Sequence, residues 1–433
     1  MEGIGDMRSD VQSALVLFTL AAFALISPAE GYSFKVIHDF CSNRGCTDGD
    51  TPASGITIDA EGNLYGASEL NYVGQGAGTV FELSPASNKK GWKFQTIYTS
   101  LNFYNPHGNF ILDTAGNIYG TDTSGSEGYG QVFELIPHGN HNRRILKELI
   151  SFAYSDPRGY FPMSVTYQGA ANGVVYDGTS TLFGVNTAGG AMDAGVIFAL
   201  TPADGAWNES SVYDFCAQAK CADGGYPTGL TIDASGTLYV AAGGGGAHRG
   251  GTILSLAQQG GVWNETTLHE FCASEKCTDG EGPDAPLLQD AAGDLFGVTS
   301  LGGEGKKECC GTVFKLTPQG ENSPYSVLAS FCIKRNCKDG ADPSSPLVMD
   351  TSGNLFGVTL TGGPHRVGDY LGGGTVYMMN GTDRILLHSF CSERDCTDGD
   401  NPVALTMDAS GNLYGLTKGG GKYGAGTVFE LTP

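Results

Sequence analysis

The sequence predicts an all-β fold: a seven-bladed β-propeller of four-stranded blades, closed by pairing of an N-terminal strand with the C-terminal blade. Three observations carry this expectation. Two short phrases each recur seven times at a near-constant period. Glycine supplies 67 of 433 residues, about twice ordinary usage, which disfavours helix bundles because glycine is costly inside helices. Hydrophobic residues reach 40 % with only 16 % charged, enough for a packed core, so wholesale disorder is excluded. The glycines follow no three-residue period, which excludes collagen.

The chain opens with an uncharged apolar run, Ala14 to Ile26, followed by Ser27-Pro28-Ala29. This pattern predicts a signal peptide over residues 1–29 with cleavage near Ala29. The run is short for a transmembrane span. Glu2, Asp6 and Asp10 outnumber Arg8 ahead of it, so an uncleaved N-terminal anchor is the alternative. Residues 30–433 are then expected to form one propeller domain, with no membrane insertion once the signal is removed.

The first phrase is [NTD]-[LI]-[YF]-G, with its aromatic at positions 65, 119, 183, 239, 296, 356 and 414; the fourth copy is the variant Thr237-Leu-Tyr-Val240. The second is G-[TQV]-[VI]-[FLY], starting at Gly78, Gly130, Gly195, Gly251, Gly311, Gly374 and Gly426. In the last unit Leu386–Phe390, Val403–Asp408 and the two phrases read as four short strands, the first two alternating apolar and polar. Asp408-Ala-Ser-Gly-Asn412 joins the second to the third; Asp and Asn cap turns and Gly supplies a positive φ. Homologous turns start at Asp59, Asp113, Asp233, Asp290 and Asp350, while the third unit is irregular around Asp177. Phe34–Phe40 matches the outer strand of a blade and the chain ends on the preceding strand, so the N-terminal strand should complete the last blade.

Twelve cysteines fall into local groups. Five pairs share one spacing: Cys41 with Cys46, Cys216 with Cys221, Cys272 with Cys277, Cys332 with Cys337, and Cys391 with Cys396. An even count at repeated spacing predicts disulfides and an oxidising compartment. Zinc is the rival reading, against which stands the absence of a second pair close to each. Cys309 and Cys310 are adjacent and could form a vicinal disulfide or two ordinary loop links.

The phrases resemble the GloVer tandem-repeat family of exported bacterial proteins. The resemblance runs from about Phe34 to Pro433 and is closest over Phe390–Pro433, where Cys391-Ser-Glu-Arg-Asp-Cys396 is inserted after Phe390. It implies export, to the periplasm or the extracellular space, and a propeller. It implies no chemistry.

In a propeller, the loops from an outer strand to the next inner strand and those joining second to third strands emerge on one face. That face is expected to gather the cysteine pairs, the Asp-Gly motifs and the Gly-rich loops. The aspartates, Asp48, Asp223, Asp279, Asp339 and Asp398, are the candidates for contacting a ligand or a cation, calcium being the ion such carboxylates would take. The competing reading of Asp-Gly before Pro is plain turn chemistry. Units two and three lack the cysteines and place Asn102 and Arg158 at the aspartate position.

A formal charge of −22, or −20 once residues 1–29 are removed, disfavours nucleic acid and anionic membrane as partners. No catalytic set, Walker loop or H-E-x-x-H is present, and His38, His269 and His388 occupy equivalent outer-strand positions. Sequons at Asn208, Asn264 and Asn380 are expected in the hairpin turns of the opposite face. Two functions compete. One is an exported, monomeric scaffold that binds a glycan, peptide or protein. The other is a metal-dependent propeller lyase or lactonase acting at the central channel, suggested by the D-x-x-G-N-L-Y phrase; the apolar inner strands weigh against it.

Overall fold

The computed structural model describes residues 31–433 apart from 71–77, 87–90, 102, 104, 140–142, 155, 306–309, 322 and 366–371. The expected signal segment therefore lies outside the described residues. Seven antiparallel sheets follow one another along the chain. Blade 1 runs from Asp50–Pro52 to Trp92–Ser100, blade 2 from Pro106–Leu112 to Arg143–Ser151, and blade 3 from Tyr160–Tyr167 to Ala206–Asp214. Blade 4 runs from Gly225–Ile232 to Val262–Glu270, blade 5 from Glu281–Pro283 to Tyr325–Ser330, and blade 6 from Val348–Met349 to Asp383–Ser389. Blade 7 takes Asp400–Met407, Leu413–Gly419 and Thr427–Thr432, and its outer strand is Ser33–Asp39. The expected closure is thus present, with Phe34 opposite Leu431 and Asp39 opposite Thr427.

The repeated phrases have packing causes. The glycine that ends [NTD]-[LI]-[YF]-G faces the aromatic of the second phrase across the strand pair, as in Gly66 opposite Phe81 and Gly415 opposite Phe429. A Cβ on Gly66 would lie 2.6 Å from Phe81 Cζ, so only glycine leaves room for the ring. Blade 4 departs from both phrases at once. Val240 replaces the glycine and Leu254 the aromatic, and these two residues are paired. One substitution fills the space the other vacates.

Neighbouring blades are joined through proline. A Cβ on Gly426, at φ +95°, would lie 2.6 Å from Pro52 Cδ of the next blade. Gly130 with Pro162, Gly195 with Pro227, Gly251 with Pro283, Gly311 with Pro343 and Gly374 with Pro402 repeat the contact. The apolar core is accordingly a set of layers between blades. One layer joins Phe40, Leu416 and Val428 of blade 7 to Ile56, Leu64 and Phe81 of blade 1. The next joins blade 6 to blade 7 through Phe356, Phe390 and Phe429.

The D-x-x-G-N-L-Y phrase is a capped turn. Asp408 accepts hydrogen bonds from Ser410 N (2.8 Å), Asn412 N (2.9 Å), Asn412 Nδ2 (2.8 Å) and Tyr414 Oη (3.2 Å). Asp59 and Asp113 bind the same set in blades 1 and 2. In blade 3 this turn is replaced by a longer excursion carrying a short 3-10 turn, Ala170–Asn172, and Tyr176 packs on Tyr119 of blade 2.

Candidate functional site

The five expected cysteine pairs are disulfides. Cys41 is bonded to Cys46, Cys216 to Cys221, Cys272 to Cys277, Cys332 to Cys337 and Cys391 to Cys396. Each closes a six-residue loop between an outer strand and the next inner strand. All ten of these cysteines have positive φ, between 49° and 62°. Such a backbone turns successive N–H groups towards the loop's own aspartate, a small anion-binding nest. Asp48 accepts from Ser42 N (2.9 Å), Ser42 Oγ (2.6 Å) and Asn43 N (3.3 Å). Asp223, Asp279, Asp339 and Asp398 take the equivalent pairs of backbone donors. Asp48 and Asp223 are wholly buried. These five carboxylates are therefore the keystones of their loops, and their charge is met by the loop backbone.

A second layer of partners arrives from the outer strands. His388 Nε2 is hydrogen-bonded to Asp398 at 3.2 Å, whereas His38 Nε2, 3.4 Å from Asp48, and His269 Nε2, 3.8 Å from Asp279, are buried beside their carboxylates without a hydrogen bond. Each imidazole stacks on a ring of a neighbouring blade: Phe94, Tyr325 and Phe34, at centroid separations of 3.7 to 3.8 Å. Burial pushes the His38 and His269 imidazolium down to about 4, against the pull of the nearby carboxylates. Where blade 3 offers no histidine, Tyr213 Oη donates to Asp223 at 2.8 Å. At Asp339 the donor is Arg384 of blade 6, at 2.6 Å. The equivalent histidine positions are thus structural clamps between blades.

The Gly-rich loops share this face. The N–H groups of Gly246, Gly303, Gly363 and Gly421 donate to the carbonyls of Cys221, Cys277, Cys337 and Cys396. Cys46, the equivalent second cysteine of the first loop, accepts from Gly49 N at 3.0 Å. Cys310 is buried beside Cys332, Cys337 and Ala341. Cys309 lies outside the described residues, as does Asn102. Arg158 pairs with Asp156 at 2.5 Å, an ion pair that closes the loop between blades 2 and 3, which has no disulfide. Two of the three sequons depart from expectation. Asn208 and Asn264 lie inside the outer strands Ala206–Asp214 and Val262–Glu270, beyond their turns. Asn380 ends the strand Thr375–Asn380.

The inner strands enclose a central channel of about 860 Å³. At its mouth on the disulfide face, each blade contributes the residue after its first proline. The residue after proline is Ala53, His107, Met163, Thr228, Asp284, Ser344 or Val403, and all seven line the cavity. In blades 3, 4 and 7 this residue is an inner-strand bulge, which aims it inward. The residue before proline has a positive φ in six blades: Thr51, Phe161, Tyr226, Gly282, Asp342 and Asn401 lie between 56° and 66°. Five of these are not glycine, an uncommon use of that region. The turn lets each N–H reach the preceding blade. Thr51 N donates to Ala425 O, Phe161 N to Tyr129 O and Asp342 N to Cys310 O. The backbone is the same from blade to blade while the side chains differ.

Those side chains divide the mouth in two. Blades 3 and 4 carry Phe161, Met163 and Tyr226 at these positions, and blades 5 and 6 carry Asp284 and Asp342; of these, Met163 and Asp284 line the cavity itself, and the other three stand before the prolines at its rim. The Asp284 carboxyl is pushed up to about 6 by desolvation, with the Asp342 charge adding to it. Desolvation also raises Asp342. Among the described residues neither carboxylate has a hydrogen-bond donor or a cation. One group of three potential metal ligands occurs among the described residues, Cys272, Cys277 and Glu281, and its two cysteines are already bonded to each other. The turn-capping role of the D-x-x-G-N-L-Y aspartates removes the observation that suggested a lactonase.

The Gloeobacter/Verrucomicrobia repeat model matches residues 170–393. The chain belongs to that family. No curated protein sequence matches it. Among solved structures, the extracellular domain of a proposed hybrid two component system from B. thetaiotaomicron is similar at TM-score 0.54 and 12 % identity, over 91 % of this chain and 39 % of that one. A second such extracellular domain from the same organism gives 0.51 and 12 %, over 92 % and 41 %. The N-terminal domain of Nup159 gives 0.50 and 10 %, over 93 % and 96 %. This chain thus spans about two fifths of the first two and nearly all of the third; at these identities the likeness is one of fold. Disulfides fit an oxidising compartment. No helix among the described residues is long and apolar enough to cross a membrane.

Proposed function

We propose that this chain is an exported binding scaffold whose ligand docks at the channel mouth on the disulfide face. The observation that carries the reading is the mouth itself. A ring that needed only to close would gain nothing from unlike side chains at backbone-equivalent positions, yet those positions run from Phe161 and Tyr226 to Asp342 and Asn401. The cavity is of ordinary size for a ligand site. Five disulfide loops, each tied down by its own aspartate, give the mouth a rigid surround. The two neighbours described as extracellular domains support placement outside the cytoplasm, as does the signal-like segment at residues 1–29.

The test is a plug. Ser344→Trp places an indole in the mouth without touching a proline, a disulfide or a capping aspartate. The purified domain, residues 30–433, is screened against glycan and peptide arrays beside this variant. The expected result is a ligand class retained by the parent and lost by the plugged protein at unchanged melting temperature. Equal binding by both would move the site elsewhere and end the proposal. Export is tested separately, by the N-terminal sequence and mass of protein recovered outside the cytoplasm.

A further inference from the structure

Two halves of the mouth have complementary chemistry. The aromatic half is larger than the mouth positions alone. Tyr129 and Tyr154 of blade 2 pack together at 5.3 Å, Tyr129 meets Tyr160 at 5.9 Å, and Tyr160 meets Phe161 at 5.0 Å. Tyr160 Oη donates to Asp193 at 2.8 Å, which ties the rings to the blade 3 loop that also carries Met192. Phe161 N and Tyr226 N donate to Tyr129 O and Ala194 O, so the arc continues from blade 2 to blade 4. It is open to solvent: Tyr154 is 67 % exposed, Met192 63 % and Tyr226 56 %. The rings of Tyr129, Tyr154, Tyr160 and Phe161 touch one another and form a platform, and Tyr226 stands exposed on the next blade. The arc lies where the disulfide loops are missing, after blades 1 and 2, and extends to blade 4.

The other half is the carboxylate pair Asp284 and Asp342. Asp284 is exposed at the cavity mouth and Asp342 half-buried, the Asp342 charge acts on Asp284, and neither has a cation among the described residues, while the whole chain carries −22. An anionic ligand would meet repulsion here. A guanidinium or ammonium group would meet both an aromatic face and two carboxylates, the two surfaces such cations prefer.

Resting on the reading of the mouth as a binding site, we propose that its ligand is a cationic peptide segment, with arginine or lysine side chains lying on the Tyr154–Phe161–Tyr226 arc and reaching Asp284 and Asp342. Arginine suits the geometry best, because its planar head stacks on a ring and pairs with a carboxylate at its edge.

The test uses fluorescein-labelled hexa-arginine, fluorescein-labelled hexaglutamate as a separate probe, and unlabelled cellohexaose as competitor, on the domain spanning residues 30–433. Binding of hexa-arginine is expected, with no binding of hexaglutamate and no competition by cellohexaose. The pair Asp284→Asn and Asp342→Asn should weaken it at least about tenfold. The pair Tyr154→Ala and Tyr226→Ala should weaken it at least about threefold. The pair Glu393→Gln and Asp395→Asn removes the same charge from an exposed disulfide loop and should change it less than about twofold. The melting temperature of each variant is measured alongside; removing two carboxylate charges that act on each other and pair with no cation among the described residues should not lower it. Equal weakening by the mouth pair and the loop pair would mean diffuse attraction to an acidic surface and would overturn the proposal. If hexa-arginine fails while cellohexaose binds and is lost in Ser344→Trp, the cationic ligand is wrong and the binding mouth survives. If nothing binds that the plug can block, both fall.

Discussion

Replacing Gly184 by valine should destabilise the protein, and replacing Phe198 by leucine in the same chain should restore most of the loss. Gly184 faces Phe198 across the second and third strands of blade 3. A Cβ on Gly184 would overlap Phe198 Cζ and come within 2.8 Å and 2.9 Å of Cε2 and Cε1; its three nearest atoms all belong to that one ring. Phe198 is fully buried, so the ring cannot swing into solvent. Overpacking of this kind costs about 1–3 kcal/mol, and three added carbons put Gly184→Val near the top of that range. Phe198→Leu alone leaves a small cavity worth about 1–2 kcal/mol. Together they recreate the Val240 and Leu254 pair of blade 4, where both residues are fully buried. The double variant should lie within about 1 kcal/mol of the parent, a coupling of about 3 kcal/mol. At roughly 2 °C of melting temperature per kcal/mol for a chain this long, the coupling is readable by calorimetry or circular dichroism. Additive losses in the double variant would refute the account of why glycine stands in this phrase.

Other outcomes follow from the loops and clamps. Removing one staple by Cys332→Ala with Cys337→Ala should cost about 2 kcal/mol by loop entropy, checked by denaturation midpoints with and without the staple. The ten loop cysteines of the parent should resist alkylation until the chain is reduced and unfolded, which mass spectrometry reads residue by residue. His38 and His269 are held neutral, with folded values near 4 against an ordinary 6.5, so the unfolded chain takes up protons first as pH falls. Their contribution is complete above about pH 6.5 and is lost towards pH 4, at most about 3 kcal/mol each. His38→Phe with His269→Phe should flatten that part of a stability profile; an unchanged slope would contradict the burial argument. Asp408→Ala removes an acceptor of four hydrogen bonds at a turn and should cost about 2 kcal/mol, measured by urea unfolding, whereas Glu393→Ala at an exposed loop position with extended backbone should cost almost nothing.

Blade number, strand count per blade and ring closure were legible in the sequence because each repeat must present the same core faces. The repeated spacing of Gly, aromatic and Asp within the chain is the direct trace of contacts made again in successive blades. Disulfide pairing was legible for the same reason: each ring spans only six residues, so the partner of Cys41 is Cys46 and that of Cys216 is Cys221. The carboxylates of Asp48, Asp223, Asp279, Asp339 and Asp398 were visible as a set, but their direction was not. Only the left-handed cysteine backbone decides that they turn inward to N–H groups of their own loops. The histidine clamps needed tertiary structure too, since His38 meets Phe94, and His388 meets Phe34, across blades. The mouth was the least legible feature. Its members, among them Phe161, Tyr226, Asp284 and Asp342, lie far apart in the chain and share no residue type, so repetition, the strongest signal in this chain, is silent there. Local chemistry determined the blade; closure of the ring decided which unlike side chains stand together around the channel.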